Sequence, residues 1–139
     1  MSYEEKGVWA YLVAVVGSYT VYVVIIVGRL DATPVSHVHY AAVLLWTTVA
    51  STVASVAVRT AIETARPSDG RRRDVRDREI GRVGEHASRW LVVFAAGAAM
   101  LMAMARWDYF WIANVIYLGF VLWAIVGSVL KVVAYRRGL

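Results

Sequence analysis

The chain has 139 residues, 60% of them hydrophobic, and a mean hydropathy of +0.56, which is more apolar than a soluble domain of this length. Its net charge of +5 comes from Lys and Arg. It has no Cys, which excludes disulfides, zinc–thiolate sites and thiol catalysis.

The apolar residues gather into four runs. The first covers residues 8–27 and is closed by Gly28-Arg29-Leu30-Asp31. Met1-Ser2-Tyr3-Glu4-Glu5-Lys6 lacks the basic start of a signal peptide, and 28–31 is a poor cleavage site, so this segment is expected to be retained. The second covers 35–58. Pro34 opens it, since proline is tolerated in a first helical turn, and Arg59 closes it. The third and shortest covers 90–105 and ends at Arg106. The fourth covers 109–130 and is followed by Lys131, Arg136 and Arg137. About 20 residues rising 1.5 Å each cross a hydrocarbon core of about 30 Å. The runs are long enough, or nearly so, and apolar on every side, unlike soluble amphipathic helices. The predicted fold class is all-α: one integral membrane domain, 1–139, built as a four-helix bundle.

Orientation follows from the connections. Residues 59–89 hold nine Arg: Arg59, Arg66, Arg71, Arg72, Arg73, Arg76, Arg78, Arg82 and Arg89. The two short connections hold one each, Arg29 and Arg106. Basic residues of short loops stay in the cytoplasm. The 59–89 loop and both termini are therefore expected there, in a bacterial cytoplasmic membrane, as the Ala/Val/Arg-rich usage also suggests. Trp9, Trp90, Trp107, Tyr109, Phe110 and Trp111 lie near span ends, where aromatic belts form.

The halves align without a gap at an offset of 77, with 11 identities over the 31 positions from Arg29 to Arg59. They include Arg29/Arg106, Asp31/Asp108, Tyr40/Tyr117, Trp46/Trp123 and Ser51/Ser128. The reading is two parallel-repeat hairpins about an axis along the membrane normal, giving a pseudo-twofold bundle. Small-residue stripes, Thr47-Ser51-Ser55 with Ala50-Ala54, Ala95-Ala99-Ala103, and Gly119-Trp123-Gly127, are expected to pack helices.

Few polar residues are candidates for chemistry. Arg29, Asp31, Arg106 and Asp108 form a duplicated Arg-x-Asp, read either as helix-end anchors or as an outer vestibule for an ion or headgroup. His37 and His39, with Met100 and Met104 at comparable depth, offer soft ligands of the kind that suit copper. The alternative is interfacial His and core Met, and whether metal binds is left open. Asn114 occupies the repeat position of His37, which argues against a symmetric metal pair. Asn114 and Tyr117, with Ser18, Tyr19, Thr20 and Tyr22, are candidates for interhelical hydrogen bonds. No nucleophile–base set, HExxH or phosphate-binding loop is present, so no catalytic residue and no cofactor are assigned.

In the 59–89 loop, Arg71, Arg72, Arg73, Arg76, Arg78 and Arg82 are candidates for contact with anionic lipid headgroups or a protein partner. Asp74 with Arg78 and Glu85 with Arg89 are i, i+4 pairs. No aromatic residues interleave with these arginines, which argues against nucleic acid. The stretch Asp74-Val75-Arg76-Asp77-Arg78-Glu79-Ile80 and Gly84, then Phe110-Trp111-Ile112-Ala113-Asn114 and Ala134-Tyr135-Arg136-Arg137-Gly138, resembles a family of small, uncharacterised bacterial four-helix membrane proteins. Members carry a DERDREI-like stretch before the second hairpin; here Val75 replaces the usual acid. The resemblance implies fold and location, and no activity. The expected function is a non-enzymatic accessory, regulatory or assembly factor acting through the Arg-rich loop. A small transporter or ion-binding module, formed as an oligomer, is the alternative; a metal- or haem-binding membrane protein comes third.

Overall fold

A backbone surrounded by apolar side chains must satisfy its own N–H and C=O groups, and here it does so as helix. The computed structural model describes residues 3–65 and 75–137. Among them are four α-helices: α1 (Tyr3–Leu30), α2 (Ala41–Thr64), α3 (Val75–Met104) and α4 (Tyr109–Arg137). Each includes a stretch long and apolar enough to cross a membrane: Glu5–Leu30, Ala41–Ile62, Gly84–Met104 and Tyr109–Arg137. The α1–α2 and α3–α4 connections share one end of the molecule, here called the hairpin end. The opposite, basic end carries the start of α1, the end of α2, the start of α3 and the end of α4.

One helix start differs from the sequence reading. Pro34 opens a single 3-10 turn, Val35–His37, and α2 begins only at Ala41. The turn closes through His37 N–H to the Pro34 carbonyl at 2.9 Å, after which Val38 is extended. Extension lets Val38 bury itself against Tyr22, Ile26 and Phe110. At the third span, α3 starts at Val75, so the charged stretch leading into residue 90 is helical, as the i, i+4 spacing of its charges suggests.

The packing also departs from the expected twofold. α1 packs on α2 and on α4, and α3 packs on α4, giving the order α2–α1–α4–α3. A twofold exchanging the hairpins would turn the α1–α4 face into an equal α2–α3 face. Among the described residues no comparable face exists. The repeat shifts locally as well: Ala41, first residue of α2, corresponds to Leu118, nine residues into α4.

α4 is central because its two sides suit different neighbours. Gly119 and Gly127 face α3. A Cβ on Gly119 would lie 2.2 Å from the Ala95 Cβ, and one on Gly127 would lie 3.1 Å from the Ser88 Oγ. Such contact is how helices associate in lipid, where apolar burial between them gives no advantage. Ser88 is fully buried there and donates to the carbonyl of Gly84 on its own helix at 2.6 Å. The other side of α4 meets α1 through Val121 and Ala124, which cluster with Val15. On α2, Thr47, Ser51 and Ser55 are half-buried while Ala50 and Ala54 are exposed. The Thr47 and Ser55 hydroxyls donate to carbonyls of their own helix, at Val43 (2.9 Å) and Ser51 (2.6 Å), so neither needs a ligand.

The Gly119 seam gives a direct prediction. Gly119→Ala should force α3 from α4 and lower the melting temperature in detergent, with a loss of about 1–3 kcal/mol. Adding Ala95→Gly should restore most of it. A Gly119→Ala chain that melts like the parent would contradict the close approach.

Candidate functional site

The predicted site residues separate into two ends and a middle. At the hairpin end the two Arg-x-Asp copies have different jobs. Arg29 lies in the last turn of α1 and donates to the His39 carbonyl, tying that helix end to the strand-like chain before α2. Asp31 follows in an exposed turn. In the second hairpin Arg106 is outside the helix, at φ 58°. The Arg106 N–H bonds the Ala103 carbonyl at 3.1 Å, and the Trp107 N–H bonds the Met102 carbonyl at 3.0 Å. That is a Schellman ending, with Arg at the left-handed position that glycine usually fills. Asp108 then caps α4: its Oδ1 accepts the Phe110 N–H at 2.9 Å. Arg29 and Asp108 therefore hold chain ends through their side chains and Arg106 through its backbone, whereas the Asp31 side chain makes no comparable contact among the described residues.

The imidazoles and the thioethers lie on different elements, the first pair before α2 and the second on α3. His37 and His39 are exposed beside the start of α2, and the 3-10 turn touches α4. Met100 and Met104 are 61% and 74% exposed on α3. Among the described residues, no three His, Asp or Glu side chains group as metal ligands.

Asn114 is the candidate with the most defined surroundings. The Tyr22 hydroxyl, on a side chain only 1% exposed, donates to Asn114 Oδ1 at 2.7 Å. Asn114 Nδ2 donates to the Phe110 carbonyl of its own helix at 2.8 Å. α1 and α4 are thus joined by a polar link inside the apolar region. Around it, the Tyr22 and Tyr19 rings each meet Tyr117 edge-on, with centroids 5.0 and 5.6 Å apart. The Tyr117 hydroxyl reaches Thr47 Oγ1 of α2 at 3.3 Å. Phe110 packs edge-on against Tyr40. No buried side-chain N or O among the described residues lacks a partner. The arrangement is chemically closed and suits joining helices. Of the other hydroxyls singled out from sequence, Thr20 turns back to the Val16 carbonyl of its own helix.

At the basic end, Arg71, Arg72 and Arg73 lie outside the described residues, as does Asp74 of the first expected ion pair. Arg76 and Arg78 fall within α3, but their side chains are not among those described. Arg82 is exposed. Glu85 reaches across to α4, where its carboxylate meets Lys131 Nζ at 3.3 Å, in place of an ion pair with Arg89. Gly84 explains the choice: a Cβ there would lie 3.0 Å from Lys131 Cγ, so glycine opens the path for the lysine stem. Glu5 and Arg136 form a second contact, at 3.7 Å, between α1 and α4.

Sequence reasoning offered Asp108 as a helix-end anchor without identifying the cap, and it missed the Glu85–Lys131 bridge. Both had signals: an acid directly before an apolar helix, and glycines at 84 and 127 on facing helices. Tyr22, Tyr117 and Asn114 were candidates for interhelical hydrogen bonds and make them, Tyr22 with Asn114 and Tyr117 with Thr47, but which partner each takes depends on packing. Comparisons with protein-family models, curated proteins and solved structures find no match to this chain.

The two aspartates should separate cleanly by mutation. Asp108→Ala should cost about 1 kcal/mol of stability through loss of the cap. Asp31→Ala, at the repeat position, should be close to neutral. Thermal melts of both variants in one detergent check this, and equal losses would contradict the assignment of the cap.

Proposed function

We propose that the chain is a multi-pass protein of a bacterial cytoplasmic membrane, with both termini cytoplasmic. In this reading it is a non-enzymatic accessory, regulatory or assembly factor that engages a protein partner through the Arg-rich residues 59–89. The observation that carries the reading is the segregation of charge. The four apolar helices concentrate basic residues at one end, where Arg59, Arg82, Arg89, Arg136 and Arg137 are all exposed. Residues 59–89 hold nine Arg against six acids, Glu63, Asp69, Asp74, Asp77, Glu79 and Glu85, which leaves +3. That distribution supports a cytoplasmic location by the positive-inside rule. It also gives a partner a mixed, net-basic surface. The polar residues within the helices favour the same reading, since Tyr22, Asn114, Tyr117 and Thr47 are engaged with one another and with backbone.

The absence of cysteine makes the test clean. A single Cys at Ser68 should react with a membrane-impermeant maleimide only after the cells are opened, and one at Ser36 should react in intact spheroplasts. A photo-crosslinker placed within residues 71–85 should then capture one defined protein. Recovery of lipid and self alone would count against the partner, and reversed labelling would overturn the topology.

A further inference from the structure

On the surface of the α3–α4 pair, a groove of about 230 Å³ is lined by Glu85, Arg89, Val92, Phe120 and Trp123. Its composition changes along its length. Glu85 and Arg89 stand at the basic end, while Val92, Phe120 and Trp123 supply an apolar floor directed toward the middle of the helices. Lys131 Nζ sits 3.3 Å from the Glu85 carboxylate and offsets its charge. The three ionised groups at this end therefore sum to one positive charge.

The depth expected of Arg89 in a bilayer is the second argument. α3 ends at Met104, and about 20 residues at 1.5 Å each are needed to cross the hydrocarbon core. Counting back from Met104 places the hydrocarbon edge near Glu85, with Arg89 one helical turn inside it. Arg89 is exposed there, and among the described residues it has no carboxylate partner. A guanidinium at that depth must reach outward or draw an anion in. Its planar donors match a phosphate, and the apolar floor beneath it matches a hydrocarbon tail.

We propose that this groove holds one anionic phospholipid, with its phosphate on Arg89 and an acyl chain along Val92, Phe120 and Trp123. The site rests on the membrane-spanning reading above but not on the protein partner, so the lipid site and the partner can fail separately.

The test uses the full chain in phosphatidylcholine vesicles doped with phosphatidylglycerol, one lipid at a time carrying brominated acyl chains that quench tryptophan on contact. Brominated phosphatidylglycerol should quench more than brominated phosphatidylcholine at equal fraction, and Trp123→Phe should remove the excess. Arg89→Gln should lower the preference for phosphatidylglycerol about fivefold, and Arg89→Lys should retain most of it. Helicity by circular dichroism confirms that each variant is folded. Equal quenching by the two lipids would overturn the site, as would a preference that survives Arg89→Gln. An equal fall in Arg82→Gln would assign the preference to the diffuse basic segment and would also overturn it.

Discussion

The fold depends on one contact, the face between α1 and α4. In lipid, two hairpins have no hydrophobic reason to associate, because hydrocarbon solvates them as well as they solvate each other. What joins them is specific: the Tyr22–Asn114 hydrogen bond, the rings of Tyr19 and Tyr117 around it, and Val15 against Val121 and Ala124. α2 reaches the rest mainly through α1, and α3 through α4. Polar links of this kind average about 0.6 kcal/mol in membranes, so the face works through tight packing as much as through the bond. Glycines at 119 and 127 do the corresponding job on the other side of α4, by removing the atoms that would keep α3 away.

The four helices were legible because length and uniform apolarity suffice to identify a long apolar helix. Their ends were less so. Proline at residue 34 satisfies the rule for a first helical turn, yet the chain stays irregular until Ala41 because Val38 and Tyr40 must reach the Tyr22–Phe110 cluster. That demand comes from tertiary packing and leaves no local trace. The repeat shows the same limit. Eleven identities align the halves, but Asp108 caps a helix while Asp31 sits in an exposed turn, and Ser128 is buried while Ser51 is half-exposed. Identical residues were legible; their different surroundings were not. Asn114 was recognisable as a hydrogen-bonding group from its position in an apolar span, although Tyr22 could not be picked out as its partner.

Functionally, the consequence is a division of labour along the helices. The middle is closed by internal hydrogen bonds, and the hairpin end is occupied with ending and starting helices. The basic end is where exposed positive charge collects. The groove under Arg89 lies at that same end, so the proposed lipid and protein contacts would share one boundary of the membrane. The Glu85–Lys131 bridge holds α3 and α4 together there.

The helix order is what all of this rests on, and disulfide cross-linking in native membranes tests it most directly. Because the chain has no cysteine, the paired variants Val15→Cys/Val121→Cys and Val53→Cys/Phe94→Cys can be compared without background. The order α2–α1–α4–α3 predicts that the first pair closes an intramolecular disulfide rapidly and that the second does not. Rapid intramolecular closure of the second pair, with failure of the first, would contradict it and would restore a closed twofold bundle.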